Sequence, residues 1–184
     1  MLTSAVLALC SFAPPLIHGN DAPANDVRPA PRARESSAIR IFEKHQMALR
    51  DSIVRIALAQ VGTPYEFGGN TPDEGFDCSG LVRHVYSQLY LTPPRLAANQ
   101  ARIGAAIRRD RLGPGDLVTF GAGDSVTHIG IYVGDRKFVH ASVKAGRVIV
   151  SSIANPHSEL IQVLKGGRRL LPITEPSQQR FGGS

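Results

Sequence analysis

The order of periodic patterns along the chain predicts an α+β protein, with a helical layer packed on an antiparallel β-sheet. Apolar residues first recur at helical spacing, over residues 39–61 and 78–89. Patterns that alternate and turn like strands follow, in "LGPGDLVTF" (112–120) and "HIGIYVGDRKFVHASV" (128–143). Because helices come first and hairpin-like strands afterwards, the pattern favours this class over an alternating α/β fold.

The two predicted helices are bounded by residues that interrupt helices. Gly62 and Pro64 end the first helix, and residues 63–76 are rich in glycine and proline and are predicted to form a loop. The second helix begins at Cys78 and carries an apolar stripe, and Pro93 lies beyond its end. A polar loop therefore leads directly into a helix at Cys78.

The second half of the chain supplies the predicted strands. Residues 112–120 indicate a turn that leads into a strand, and residues 128–143 indicate a hairpin. Residues 147–153 and 168–173 are two further strand candidates. Together these segments can form one antiparallel sheet.

The 184 residues fit one domain with appendages. We predict a possible signal peptide over 1–24, a flexible linker over 25–38, the domain over 39–174 and a flexible tail over 175–184. The leader is apolar and offers an A-x-A pattern at Ala22 and Ala24, although no basic residue precedes Arg28. Leu9 before Cys10 is unlike a lipoprotein signal. A secreted or periplasmic protein without a lipid anchor is expected.

The composition limits the function classes. The net charge of +6 is consistent with solvated surface charge or with attraction to an anionic surface or polymer. The basic residues are scattered and there is no Trp, which argues against a nucleic-acid partner. The apolar leader is too short for an integral membrane span. Two cysteines cannot build a disulfide framework. The protein is expected to be a monomer.

Cys78 is a candidate nucleophile because of its place at the start of a helix. The positive end of the helix dipole favours a thiolate there, so a lowered pKa of the Cys78 thiol is expected. A lone cysteine is also often a buried structural thiol. Both interpretations stay open on this feature alone.

A cysteine nucleophile needs a base and a group that orients the base. His128 and His140 lie in the predicted hairpin, and the other four histidines are expected to be surface or packing residues. A three-residue loop over 134–136 would put His128 and His140 on one face. A two-residue loop at 135–136 would separate them unless a bulge restored the register. Gly130 would leave room for substrate or for the approaching helix.

A zinc site built from Cys78, His128 and His140 is a chemical alternative. None of the short spacings typical of zinc sites is present. No metal and no cofactor are therefore expected.

The segments "GTPYEFGGNTPDEGFDCSGLVRHVY", "LGPGDLVTF", "THIGIYVGDRKFVHAS" and "GGRRLL" resemble the NlpC/P60 cysteine peptidases of bacterial cell walls. The resemblance implies a papain-like fold in which the nucleophile helix packs on an antiparallel sheet. It implies Cys78 as nucleophile, His128 as general base and His140 as the group that orients the base.

The resemblance also implies residues around the reacting sulfur. The backbone N–H of Cys78 and the hydroxyl of Tyr65 would form the oxyanion site. Asp77 and Ser79 would help to bind substrate, although Asp77 is equally a helix cap and Tyr65 equally a loop-packing residue.

The function that the resemblance implies is hydrolysis of amide bonds in peptidoglycan stem peptides or cross-links, through a thioester. A non-catalytic peptidoglycan-binding module and a thiol acyltransferase or amidase are alternatives on the same fold. Phe67 departs from a frequent Trp, and Arg136 departs from a frequent Gly in the hairpin turn. Neither position carries a reacting group.

Overall fold

A computed structural model of the chain describes residues 31–171. The predicted signal peptide and the predicted tail over 175–184 lie outside the described residues. Within residues 31–171, no helix combines the length and the apolar character needed to cross a lipid bilayer.

The helices of the described residues include one long helix and three shorter ones. They are α1 (Pro31–Ala59), α2 (Cys78–Ser87), α3 (Ala97–Gln100) and α4 (Glu159–Gln162). Residues 31–38 of the predicted linker over 25–38 are helical, because α1 begins at Pro31, and residues 25–30 lie outside the described residues. Proline is favoured in a first helical turn, and the alanines, arginines and glutamate that follow are good helix formers.

The strands of the described residues form a two-stranded and a six-stranded sheet. They are β1 (Asn70–Thr71), β2 (Gly75–Phe76), β3 (Ala105–Ile107), β4 (Leu117–Phe120), β5 (His128–Gly134), β6 (Lys137–Ser142), β7 (Arg147–Ser152) and β8 (Leu164–Arg169). The larger sheet has the order β3-β8-β4-β5-β6-β7, and all its pairs are antiparallel. The predicted α+β class, with a helical layer on an antiparallel sheet, is confirmed.

The helix α2 packs on one face of the larger sheet. Its apolar stripe of Leu81, Val82 and Val85 is fully buried in the main core with Ile129 and Ile131 of β5. Burial of each such side chain contributes about 1.5–3 kcal/mol. This packing fixes the start of α2 against the start of β5.

Two glycines make β8 difficult to predict from the sequence. The strand spans Leu164–Arg169, which corrects the prediction of a strand over 168–173. A Cβ atom on Gly167 would lie 2.4 Å from the carbonyl oxygen of Leu117, so a glycine is needed where β8 approaches β4. Because glycine is uncommon inside strands, the sequence at Gly166 and Gly167 is more typical of a turn than of a strand.

The β5–β6 hairpin has a two-residue turn and a bulge. Gly134 pairs with Lys137, and the register shifts between Tyr132 and Gly134. Asp135 and Arg136 both have positive φ, at 49° and 58°, as a type I′ turn requires. The bulge restores the register, which is the second of the two ways in which His128 and His140 could share a face.

Candidate active site

Cys78 is the first residue of α2, directly after the helix cap Asp77. It is a free cysteine and is partly buried. It packs against the core cluster that contains Ile129, and the backbone N–H of Ile129 acts to lower the pKa of its thiol. The sulfur therefore lies beside the peptide bond that joins His128 to Ile129, so the start of α2 meets the start of β5.

The pKa of the Cys78 thiol is raised. Burial is the largest cause, and the Asp77 carboxylate raises the pKa further. The backbone N–H groups of Ile129, Ser79 and Cys78 itself act in the opposite direction without offsetting it. The expected lowering at the helix N-terminus is therefore wrong, because desolvation exceeds the helix-end effect, and the thiol is protonated at neutral pH.

His128 and His140 contact each other directly. The Nε2 atom of His128 lies 2.8 Å from the Nδ1 atom of His140, and the ring planes are nearly perpendicular at 84°. The Nε2 atom of His140 lies 2.9 Å from the hydroxyl oxygen of Ser151 on β7. The three side chains form one continuous chain of hydrogen bonds across β5, β6 and β7.

One arrangement of protons in this chain leaves His128 able to act as a base. His140 donates from Nε2 to the Ser151 oxygen and accepts at Nδ1 from the Nε2–H of His128. The Nδ1 atom of His128 then keeps a free lone pair. The distances between the ring nitrogens and the hydroxyl oxygen fit this assignment, and a base at His128 requires it.

Both imidazoles are neutral at physiological pH. Burial lowers the pKa of His128 to about 4, and burial together with the nearby His128 lowers the pKa of His140 to about 3. Phe120 packs against the first ring and Phe138 against the second, with ring centroids 5.8 and 4.9 Å apart. This apolar surrounding disfavours the charged form of either ring.

Gly130 makes the close approach of β5 and β6 possible. A Cβ atom there would lie 2.8 Å from the carbonyl oxygen of Val139 and 3.2 Å from the Cβ of His140. The space beside Gly130 is therefore filled by β6, and not by substrate or by the approaching helix as expected from the sequence.

Tyr65 lies in the loop before Cys78 and close to it. Its backbone N–H donates to the Gly146 carbonyl at 2.9 Å, which ties this loop to the β6–β7 turn. Burial and then the Cys78 charge raise the pKa of the Tyr65 phenol. The hydroxyl therefore keeps its proton at neutral pH and is available as a hydrogen-bond donor near the sulfur.

Asp77 caps α2 and also holds a network of buried polar groups. Its carboxylate accepts from the backbone N–H groups of Gly80, at 2.7 Å, and Gly68, at 3.1 Å, and from the Ser79 hydroxyl at 3.1 Å. Arg95 donates to both carboxylate oxygens, at 3.0 and 2.6 Å, and to the Ser79 hydroxyl at 2.9 Å. Asp77 is therefore the cap of α2.

The pKa of Asp77 is lowered despite its burial. Desolvation raises this pKa, but the hydrogen bonds from Arg95, from the Gly80 N–H and from Ser79 outweigh it. The carboxylate is therefore charged at neutral pH. The Arg95 side chain is 29% exposed against 12% for Asp77, so Arg95 is the more accessible of the two partners.

The contacts of Arg95 and Ser151 are not predicted by the sequence. Arg95 follows two prolines after α2, and Ser151 is one of several small polar residues on a strand. Neither has a local motif, because each meets its partner only through the fold. A buried amide of Gln100 joins this group and donates to the carbonyl of Ser79 at 2.9 Å.

The remaining described histidines lie away from this centre. His84 packs on Phe76 with ring centroids 5.1 Å apart. His45 and His157 are exposed, and His18 lies outside the described residues. Of the histidines within residues 31–171, only His128 and His140 contact each other.

The zinc alternative has poor geometry. Two ring nitrogens that share a hydrogen bond cannot both direct a lone pair at one metal ion, and His128 and His140 use facing nitrogens in this way. Among residues 31–171, no cluster of three or more histidine, cysteine, aspartate or glutamate side chains is arranged to hold a metal ion.

Known proteins share this arrangement of elements. A crystal structure of an NlpC/P60 family protein from Bacillus cereus aligns with a TM-score of 0.62 and 32% identity, over 67% of this chain and 40% of that one. The peptidoglycan hydrolase RipB from Mycobacterium tuberculosis aligns with a TM-score of 0.60 and 26% identity, over 69% and 67% of the two chains.

Sequence relatives agree with these structures. A gamma-DL-glutamyl hydrolase of Bacillus subtilis is 37% identical over 68% of this chain and 30% of its own length. The murein DD-endopeptidase MepS/murein LD-carboxypeptidase of Escherichia coli is 42% identical over 52% of this chain and 50% of its own. The chain thus spans half or less of the length of these curated relatives. The NlpC/P60 family itself matches residues 62–165, more than half of the 184 residues, and this protein belongs to that family.

Proposed function

We propose that this protein is a cysteine peptidase that hydrolyses amide bonds in the stem peptides or cross-links of peptidoglycan, outside the cytoplasm. One observation carries the proposal. A free cysteine at the start of α2 lies beside the peptide bond of His128, whose ring is hydrogen-bonded to His140. The names of the relatives, which are hydrolases and murein endopeptidases, support the same substrate class.

The first half of the reaction forms a thioester. The Nδ1 atom of His128 takes the thiol proton as the Cys78 sulfur attacks the scissile carbonyl carbon. Because the thiol pKa is raised and the imidazole pKa is lowered, a resting ion pair is disfavoured, and proton transfer accompanies attack. His128 then gives the proton to the leaving amine, and the C–N bond breaks.

The second half releases the acid product. Water gives a proton to the Nδ1 atom of His128 and attacks the thioester carbonyl, and the Cys78 sulfur leaves with that proton. In this assignment His140 and Ser151 keep the ring of His128 in the tautomer that accepts at Nδ1. No cofactor takes part in either half.

The oxyanion of each tetrahedral intermediate needs donors. Cys78 is the first residue of α2, so its backbone N–H has no partner four residues earlier within the helix. With the Tyr65 hydroxyl it forms the proposed oxyanion site, in which each donor contributes about 3–4 kcal/mol. Asp77, Ser79 and Arg95, which are hydrogen-bonded to one another next to Cys78 in the chain, are proposed to bind the substrate.

The proposal is tested with defined muropeptides, both single stems and cross-linked dimers, whose products are identified by mass spectrometry. We expect the wild type to release products whose masses name the bond cut, and the Cys78→Ala and His128→Ala variants to release none. His45→Ala is the matched control, because His45 is exposed on α1, and it should keep full activity. Identical traces for wild type and Cys78→Ala across all substrates and several pH values would end the enzyme proposal.

A further inference from the structure

A cavity lies on the sheet face that carries His128 and His140. It has a volume of about 910 Å³ and is bounded by the 3₁₀ turn Arg109–Arg111, the β5–β6 turn and the end of β7. Leu112, Tyr132 and Ile153 line it with apolar surface. Tyr132 is four residues from His128 on the same side of β5, about 13 Å along the strand.

The charged lining of this cavity is strongly basic. Arg108, Arg109, Arg136 and Lys165 line it together with one acidic residue, Asp110. Asp110 already pairs with Arg108, at 3.0 and 3.1 Å. Among the side chains that the structure describes, those of residues 36–171, the other three cations form no ion pair. Arg109 donates to the Ile153 carbonyl at 3.2 Å and Lys165 to the Gly123 carbonyl, so the cavity carries positive charge that no carboxylate neutralises.

Arg136 is held there against the preference of its backbone. Its φ of 58° lies in the left-handed region, where glycine is the least strained residue. The contacts that tie Arg136 to the fold use its backbone: the N–H donates to the Tyr132 hydroxyl, and the carbonyl accepts from Ile153 N–H and from Ser152. A glycine would keep all of these backbone contacts. Among the described residues the Arg136 guanidinium makes no hydrogen bond or ion pair, so it is available to bind an anion.

We propose that this cavity is an exosite that binds carboxylates of the peptidoglycan strand away from the bond being cut. The inference rests on the proposed function. Guanidinium groups bind carboxylates through two parallel hydrogen bonds, and the apolar lining suits the methyl and methylene groups that lie beside carboxylates in a peptide stem. Polyol phosphate chains present hydroxyl groups to such a lining, which makes them the poorer fit. Because the strand repeats its stems, one stem can occupy the exosite while another lies at Cys78.

The test measures binding of the inactive Cys78→Ala protein to intact peptidoglycan sacculi by co-sedimentation at low salt. Adding Arg136→Gly should weaken binding about tenfold, the usual effect of losing one charge-assisted hydrogen-bonded contact. The melting temperature should stay equal or rise, since glycine relieves the positive φ. Arg55→Gln on α1 is the matched control, because it removes one exposed positive charge that does not line the cavity.

Cleavage assays test the exosite proposal and the peptidase proposal separately. Arg136→Gly in the active enzyme should keep the kcat/KM for a soluble disaccharide-peptide and lose activity on intact sacculi. Unchanged binding of Arg136→Gly, or an equal loss in Arg55→Gln, would overturn the exosite while leaving the peptidase proposal intact. If acid removal of phosphate polymers from the sacculi abolished the difference, the carboxylate assignment would be wrong. A wild type that cleaves no soluble peptide would instead remove the proposed function.

Discussion

Gly130→Ala tests how closely the activity depends on the approach of β5 to β6. The added Cβ would lie 2.8 Å from the Val139 carbonyl oxygen and 2.9 Å from Cδ2 of Phe138, whereas ordinary contact begins at 3.4 Å. The strands must therefore separate by about 0.6 Å, since the obstacle at Val139 is backbone. The same displacement would lengthen the 2.8 Å bond between His128 and His140 to about 3.4 Å, beyond the range of a good hydrogen bond.

Two magnitudes follow from this displacement. Overpacking of this kind costs about 1–3 kcal/mol of unfolding free energy. Poor orientation of the base should lower kcat by about 10- to 100-fold, a part of the factor of about 10²–10⁴ that general acid–base catalysis supplies. The assay combines urea unfolding with steady-state cleavage of a soluble stem peptide.

The control for Gly130→Ala is a glycine whose replacement affects stability alone. Gly123 has a φ of 52° and no atom within 4 Å of an added Cβ. Gly123→Ala should therefore cost about 1 kcal/mol through its backbone conformation and leave kcat nearly unchanged. A wild-type kcat in Gly130→Ala, or an equal loss of kcat in both variants, would refute the reasoning.

The remaining predictions concern the groups around Cys78, His128 and His140. Ser151→Ala removes the hydrogen-bond partner of His140, so kcat should fall about two- to tenfold with KM unchanged, and Ser151→Thr should restore it; steady-state kinetics that show no change would contradict this. Arg95→Ala leaves the Asp77 carboxylate without its bidentate partner and should lower the unfolding free energy at pH 7 by about 1–3 kcal/mol, as measured by urea titration. The loss should be smaller than for a fully buried ion pair, because Arg95 is partly exposed. A variant as stable as the wild type would argue against a stabilising pair. Because the pKa values of His128 and His140 in the fold, about 4 and about 3, lie below the ordinary 6.5, the unfolded state binds more protons in that interval. The unfolding free energy should hold above pH 6.5 and fall as the pH drops from 6.5 towards 4 and 3, and a flat profile would contradict the neutral pair.

The sequence predicts the elements that follow local rules. The start of α2 at Cys78 follows from a capping aspartate before an apolar stripe, and the structure agrees. The β5–β6 hairpin follows from two alternating runs around a short turn. The class of the fold follows from the order of these elements, because neighbouring segments in the chain pack together.

The sequence does not predict the role of a residue when that role depends on a contact with a residue far away in the chain. Gly167 suggests a turn but lies in β8, because the strand must approach the carbonyl of Leu117. Arg95 acquires its role only when Asp77 is brought to it across 18 positions. The pKa of the Cys78 thiol rises instead of falling, because the depth of burial is a property of the whole fold.

The hydrogen-bonded pair of His128 and His140 is an intermediate case. Alternation along each strand places both residues, but their relative face depends on one extra residue in β5. Nothing in the letters "YVGDRK" marks the bulge, since bulges arise from local twist and pairing. The sequence therefore shows that a bulge or a three-residue loop would place His128 and His140 on one face of the sheet, but it does not show that either is present.

The most direct test of the central claim is detection of the acyl group on Cys78 during turnover. Wild-type protein mixed with a defined stem peptide is quenched in acid within milliseconds, digested and analysed by mass spectrometry. The account predicts a thioester adduct, with the mass of the acyl half of the substrate, on the peptide that contains Cys78, and no cleavage by Cys78→Ala. Cleavage by Cys78→Ala at the wild-type rate, with no adduct on the wild-type cysteine, would contradict it.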